Sequence, residues 1–435
     1  MALMLAQRGH RVHVRERRPD PRDAAPERGR SINLALSARG LTALSQVGVL
    51  ERLGAVMISM PGRMLHDEQQ QLEFLPYGQG EREVNYSVSR SQLNRVLIEA
   101  AAAHPAIELT FHQRCVDLDV PSGTLHLRDE QSGQLLREPT ELLLGADGAG
   151  SSVRHALVRR GLSRSRDVPL PHDYKELTIP PSQGGFALEP HALHIWPRGG
   201  FMLIALPNAD RSFTATLFLP RQGEFSFERL QAANAPRAFF ERQFADAAGL
   251  IPDLAEQFSL HPQSQLGTIE CQGWQAAGRV LLLGDAAHAV VPFHGQGLNC
   301  GFEDCVVLDR LLAHGDCSAA LSAFEGERQP NTTALAEMAL ENYLEMRDGV
   351  RSPQFAPRKA LQSALERAFP GRFIPRYSMV TFHAEISYAE AQRRGRQQEL
   401  ILDRLTAEFP GELDSGVLSD PALTCARDLL AKAGL

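Results

Sequence analysis

This sequence has few of the features that would tie it quickly to a partner. It carries no dominant basic block: 45 Lys and Arg stand against 52 Asp and Glu, a net charge of −7. A nucleic-acid or anionic-membrane surface needs a Lys/Arg stripe, so neither is expected, and the Arg15–Arg18 and Arg393–Arg396 clusters read as solvated. The six cysteines (Cys115, Cys271, Cys300, Cys305, Cys317 and Cys425) contain no CxxC pair and no zinc-like spacing. That excludes a disulfide framework and a zinc ribbon, makes a reducing compartment the simpler reading, and leaves no metal site to expect. No apolar run approaches the ~18–20 residues of a membrane helix. Met1–Ala6 is apolar but too short for a signal peptide. Aromatic residues make up only 6%. A cytoplasmic protein is expected.

What is present is globular. Apolar residues are 43% and charged residues 22% of 435, and the length is about three times a ~150-residue domain. Met1–Arg8 reads as a helix stopped by Gly9, and Arg11–Glu16 alternates like a strand ending in an acid. Arg28–Ala35 is a polar loop entering an extended segment. Helical spacing follows over Ser37–Leu53, short strands over Met57–Tyr77, and a helix over Arg90–Ala103. Ile107–Phe111, Cys115–Val120 and Thr124–Arg128 suggest a β-meander. Glu141–Gly148 is a buried strand running into a tight turn, with a helix over Ser151–Arg160. Tyr174–Leu219 is strand-rich, and helical segments return at Pro236–Asp246 and Ile251–Phe258. A second buried strand, Arg279–Leu283, precedes a helix from Gly297 to about Ala313, and Cys317–Leu435 is helix-dominated.

Two segments carry chemistry. In Val280-Leu-Leu-Leu-Gly-Asp-Ala-Ala-His-Ala-Val-Val-Pro-Phe-His-Gly-Gln-Gly-Leu-Asn299 an apolar strand delivers Asp285 to its carboxyl end, where ligands bind in open α/β sheets. Asp285 can accept from a sugar or ribityl hydroxyl, and Gly295 and Gly297 open a helix whose first amides favour an anion or an electron-rich ring edge. An isolated Gly-Asp pair is usually a strand–turn–helix with a capping Asp; the whole unit is far more specific. Glu16 ends the second strand of what reads as a βαβ dinucleotide unit, where an acid ~20 residues beyond a Gly-rich loop accepts from an adenosine ribose. That loop and its strand would fall before residue 1, so a gap is expected in the nucleotide sheet.

The Gly-Asp-Ala-Ala-His unit resembles the flavin-contact motif of single-component FAD-dependent aromatic hydroxylases, and Gly145-Ala-Asp147-Gly148 with Arg154 resembles their second signature. Within that class the resemblance narrows to the kynurenine 3-monooxygenase family. It rests on Glu16-Arg-Arg-Pro-Asp-Pro-Arg22, Gly29-Arg-Ser-Ile-Asn-Leu-Ala-Leu36, Pro61-Gly-Arg-Met64, Tyr174-Lys-Glu-Leu177 and Ala192-Leu-His-Ile-Trp-Pro197. It continues through Ala205-Leu-Pro207, Arg211-Ser-Phe-Thr214, Thr216-Leu-Phe-Leu219, Met338-Ala-Leu-Glu-Asn-Tyr343 and Arg372-Phe-Ile-Pro-Arg-Tyr-Ser-Met-Val-Thr-Phe382.

The resemblance implies an α/β fold: a Rossmann-like FAD-binding domain (1–55, 84–160 and 275–315, N-terminally incomplete), interleaved with a β-sheet substrate domain (56–83 and 161–274). A helical region (316–435) follows. It implies flavin-centred hydroxylation of L-kynurenine to 3-hydroxy-L-kynurenine with NADPH and O2, no catalytic side chain, and a chain that can be a homodimer. Glu16, Arg17, Ala35, Arg90, Cys115, Asp147, Asp285, Gly297, Leu298 and Asn299 match cofactor positions. Arg63, Tyr77, Asn342 and Tyr377 match those holding the amino-acid end of the substrate. Leu193, Met202, Leu206, Thr216, Phe218, Pro292, Phe293 and His294 match the pocket around its ring. These residue types suit such chemistry, since a guanidinium fork holds a carboxylate, a phenol adds a donor, and an apolar slot keeps water from an oxygenated flavin. The role of His294 stays open between general acid and packing. A hydroxylase of another aromatic acid, or a non-catalytic FAD-fold protein, remains the rival reading.

Overall fold

The computed structural model describes residues 1–23, 33–80, 83–232, 234–313, 315–349, 352–411 and 417–435. The expected loop over residues 28–32, with the start of the Gly29–Leu36 motif, lies outside them. Two short parallel ladders carry the nucleotide-type architecture. In one, Val12–Arg15 pairs with Ile107–Thr110, with Val14 opposite Leu109. The helix Ala2–Gln7 leads into it, and Gly9, at φ +89°, makes the left-handed turn that lets the chain double back. In the other, Leu143–Gly145 pairs with Val280–Leu282, and Gln275–Ala276 flanks the latter antiparallel. Among the described residues the two ladders share no hydrogen-bonded strand.

A seven-stranded sheet forms the second body. Its order in space is Gln263–Gln272, Arg164–Ile179, Phe213–Pro220, Met202–Pro207, Ala192–Pro197, Gly62–His66 and Leu72–Pro76. Strand alternation divides it into two faces. Trp196, Leu203, Ala205, Leu217 and Leu177 point to one side, where Phe239, Phe240, Phe244 and Phe258 close a dry core. Leu193, Ile195, Met202 and Phe218 point to the other, against Val291, Phe293 and Tyr343. The parallel pairing of Ala192–Pro197 with Gly62–His66 sets Leu193 beside Arg63 on that second face. The register therefore decides which side chains line the site.

The remainder is helical: Cys317–Arg347, Phe355–Ala368, Arg376–Thr381, Tyr388–Glu408 and Asp420–Lys432. The first of these, 31 residues with Pro330 inside it, runs along the second sheet face and the Gly297–Leu312 helix. No described helix is long and apolar enough to cross a membrane.

Four local expectations change. The helix expected over Ser37–Leu53 is two, Ala38–Gln46 and Leu50–Leu53, because Gly48 takes φ +70° and ends the first. The meander is Gln113–Asp119, Thr124–Asp129 and Leu135–Pro139, since Ile107–Thr110 is taken by the parallel ladder. Met57–Met60 pairs with Asn85–Ser89, which also pairs Asn33–Leu36, in a small separate sheet. Gln263–Gln272, polar at every exposed position, forms an edge strand that sequence reading passed over.

Candidate functional site

Arg63 projects from the sixth strand of the large sheet into a frame of aromatic rings. Its guanidinium carbon lies 4.6 Å from the Tyr377 ring centroid and 5.3 Å from that of Tyr77. The two tyrosines stack on each other at 5.2 Å with planes 12° apart, and His294 stacks on Tyr377 at 5.2 Å and 9°. Asn85 donates to the Tyr377 hydroxyl at 3.1 Å, fixing that ring from below. Among the described residues Arg63 forms no ion pair with a carboxylate. A cation set against π-faces, with no carboxylate in direct ion-pair contact and only the more distant Glu345 opposing its charge, is suited to an anionic ligand. Burial, reinforced by Tyr377, raises the Tyr77 phenol well above its usual range, so it stays a donor.

Asn342, on the long helix, is buried and donates to the Phe293 carbonyl at 2.6 Å. It thereby links the helix to the Pro292–His294 turn, and His294 stands next in line. Burial drives the His294 imidazole down to about 3, with Arg376 and Arg63 acting in the same direction, and its buried Nδ1 has no partner among the described residues. At neutral pH it is a neutral ring lying flat on Tyr377.

Leu193, Met202, Phe218 and Phe293 belong to one apolar cluster on the same sheet face, with Phe218 and Phe293 rings 4.9 Å apart. Leu206 and Thr216 are buried and share that face with Met202 and Phe218 on their strands. Pro292 is exposed at the rim. Leu193, Met202, Leu206, Thr216, Phe218 and Phe293 thus share one surface, apolar apart from Thr216, with His294 the further polar member of the expected pocket.

The cofactor residues are placed less uniformly. Asp285 lies exposed just beyond Val280–Leu282, and its carboxylate makes no hydrogen bond among the described residues. Gly284 before it adopts φ +55° and ψ −138°, a conformation open to glycine alone. Gly297 and Leu298 begin the Gly297–Leu312 helix, whose first amides are free of a side-chain cap, and Gly295 supplies the left-handed turn ahead of them. Glu16 caps the other parallel ladder, its carboxylate accepting from the Arg18 amide at 2.9 Å, and Arg17 is exposed beside it. Acceptor carboxylates at the ends of parallel strands, together with an uncapped helix N-terminus, suit the hydroxyl and ring groups of FAD.

Other members of that set do structural work. Asn299 is fully buried and spent on the backbone: it donates to Ala35 and Gly295 carbonyls at 2.8 Å and accepts from the Ser37 amide at 2.9 Å. It ties the Ala35 strand to the helix start. Asp147 accepts from the Ser152 and Val153 amides and so caps the Ser152–Arg159 helix. Cys115 is a thiol that burial, with Asp147 and Asp117 nearby, pushes up to about 12. Arg90 is exposed at the start of its helix.

Sequence reading missed Glu345, three residues beyond Asn342 on the same helix face. Burial alone would raise its carboxyl, but Lys359, Arg63 and Arg376 outweigh burial and lower it; Lys359 sits at 3.1 Å. The i, i+3 spacing from Asn342 was the available signal.

The FAD binding domain family matches residues 1–218 and 243–339. Kynurenine 3-monooxygenase of Myxococcus xanthus (strain DK1622) is 47% identical over 412 residues, 94% of this chain and 89% of that protein. The enzyme of the same name from Stenotrophomonas maltophilia (strain K279a) is 46% identical over 413 residues, 94% of this chain and 90% of its own. In fold, the chain is similar to the tetrameric form of 2-methyl-3-hydroxypyridine-5-carboxylic acid oxygenase, with a TM-score of 0.65 at 20% identity over 82% of this chain and 91% of that one. It is similar also to P. aeruginosa PqsL in complex with 2-aminobenzoylacetate, with a TM-score of 0.63 at 22% identity over 80% and 93%. With near-complete coverage at this identity, and the aromatic-hydroxylase fold around it, the chain belongs to the kynurenine 3-monooxygenase family of FAD-dependent monooxygenases.

Proposed function

We propose that this protein hydroxylates L-kynurenine to 3-hydroxy-L-kynurenine, with NADPH as reductant and O2 as oxygen donor. The observation that carries the reading is the Arg63 guanidinium, framed by Tyr77 and Tyr377, with no carboxylate in direct ion-pair contact among the described residues and beside an apolar sheet face. Arg63 takes the substrate carboxylate in bidentate fashion and the Tyr77 phenol donates to it. Asn342 and Glu345 stand where an α-amino group would follow. The ring then lies over Leu193, Met202 and Phe218, where apolar walls exclude water.

FAD, when bound, supplies the oxygen-transfer chemistry, and Asp285, Glu16 and the first amides of the Gly297–Leu312 helix would hold it. An ortho-amino group already enriches the ring in electrons, so no strong base is needed. The neutral, stacked His294 agrees with a site that orients rather than deprotonates. In this reading the FAD-binding domain is 1–55, 84–160 and 275–315, the substrate domain 56–83 and 161–274, and the helices of 316–435 close over both.

The test is NADPH oxidation by purified, flavin-loaded protein with L-kynurenine against a panel of phenolic acids and salicylate, with product identified by mass and retention. Kynurenine-dependent formation of the 3-hydroxy product is expected. Turnover of a phenolic acid in its place would sink the assignment.

A further inference from the structure

Behind the Asp285 turn lies a buried ionic chain that the reaction itself does not use. Asp304, on the Gly297–Leu312 helix, is wholly buried. Its Oδ2 accepts from the Gly284 amide at 3.0 Å and meets His288 Nε2 at 2.6 Å; its Oδ1 accepts from Arg328 Nε at 2.7 Å. Arg328 also reaches Glu303 and the Cys300 carbonyl and thiol, and Glu303 takes a second guanidinium, that of Arg39. His288, Cys300 and Asp304 bring ligand-type atoms within 4.8 Å of one another, but the Arg328 guanidinium already contacts two of the three. The cluster is thus built around a resident cation.

Both ends of the Asp285–His288 turn are therefore held from one carboxylate: Gly284 in front and His288 behind. On the opposite side the buried Arg154 donates to the Ala286 carbonyl at 2.8 Å and also to that of Ala149. Only Asp285 itself is left free and exposed. Gly284 packs on the same helix at Gly301, about one turn before Asp304, where a methyl on Gly301 would come into ordinary contact with Gly284 Cα at 3.7 Å.

We propose that Asp304 is a positioning residue for the cofactor, fixing the glycine-only conformation of Gly284 so that Asp285 is presented to the flavin side of the site. The inference rests on the reading of Asp285 as a flavin contact. Burial works against the Asp304 charge, but His288 and Arg328 outweigh it and keep the carboxyl below its usual range. The turn is therefore anchored by a full negative charge rather than by a neutral acid that could let go.

The test is a double-mutant cycle read by FAD affinity, from flavin fluorescence on titration, with the visible circular dichroism of bound flavin as a second signal. Asp285→Ala and Asp304→Asn should each weaken FAD at least tenfold. Together they should be no more than about twofold worse than the weaker-binding single variant, because both act through one contact. Asp246→Asn, which disturbs a separate, half-buried carboxylate bonded to His66 and Trp196, should lower the melting temperature and leave FAD affinity within twofold. If Asp304→Asn does not fold, His288→Gln carries the same cycle, with at least threefold weakening and the same non-additivity. Additive losses, or unchanged FAD affinity in the Asp304 or His288 variant while Asp285→Ala binds poorly, would overturn the positioning role. Unchanged affinity in Asp285→Ala would instead overturn the reading of Asp285. Neither result depends on which substrate is hydroxylated.

Discussion

Arg63 and Arg328 are both drawn inside this protein, and their surroundings are opposite. Arg328 is 3% exposed and meets Asp304, Glu303 and Cys300, so its donors are satisfied by the chain. Arg63 faces two tyrosine rings and, among the described residues, no ion-paired carboxylate. A saturated buried arginine is a structural fastening; an unsaturated one is energetically costly to the empty protein and gains its partner from outside. The contrast separates holding from binding, two roles that charge and burial alone do not distinguish.

The comparison breaks first on stability. Arg328→Met should cost about 3–5 kcal/mol in denaturant unfolding, since the wholly buried Asp304 loses its guanidinium and keeps only His288, while Glu303 is left to Arg39 alone. Arg63→Ala should leave unfolding free energy unchanged or slightly higher. If the two variants melted alike, the distinction would be lost.

It sharpens on kinetics. Arg63→Ala should lose about 2–4 kcal/mol in kcat/KM for kynurenine, and Arg63→Lys should remain impaired because a point charge lacks the planar fork. Hydrogen peroxide formed per NADPH should rise while flavin content stays normal. Wild-type KM and coupling in Arg63→Ala would remove it from the site. On the cofactor side, Asp285→Ala should weaken FAD by about 1.5–3 kcal/mol, the value of one hydrogen bond to a charged acceptor, with little change in kynurenine KM.

The smallest expected effect is one of pH. The unfolded His294 imidazole titrates near 6.5, whereas in the folded protein burial takes it down to about 3. Between those values the unfolded chain binds a proton that the folded chain refuses, so stability falls as pH drops below about 6.5. From pH 7 to pH 5 the native protein should lose about 1–2 kcal/mol more than His294→Phe, which keeps the stack on Tyr377 without the titrating group. Parallel losses in urea melts at the two pH values would show that His294 is not held neutral.

The sequence reveals these parts unequally. Val280–Leu282 followed by Gly284 and Asp285 is legible because an apolar run ending in glycine has few other meanings. The pairing of Arg63 with Tyr77 came from resemblance, and the strand register then put Leu193 beside it. Tyr377 also came from resemblance, through the Arg372–Phe382 stretch, but that its ring would frame Arg63, far away in the chain, shows only in the packing. Asn299 was assigned to the cofactor, yet it is consumed by three backbone groups, a use that appears only once the Ala35 strand packs against its helix. The Asp304–Arg328 pair was invisible for the same reason: a charged residue on a helix reads as solvent-facing until tertiary packing covers it. Gln263–Gln272 was missed because an edge strand buries only part of one face, leaving glutamines along the rest.

The Cys317–Arg347 helix carries both halves of the comparison. Arg328 fastens to Asp304, which holds the Gly284–His288 turn, and Asn342 to the Phe293 carbonyl, fourteen residues or about 21 Å apart along one rod at 1.5 Å per residue. That rod is a ruler between the two sites. Inserting a single alanine after Ala336 would turn Asn342 by about 100° and advance it about 1.5 Å, taking its amide off Phe293 while leaving Arg328 seated. Four inserted residues would restore the facing and still miss the carbonyl by a full turn of rise. The number of residues between these two side chains is as much a part of the arrangement as the side chains themselves.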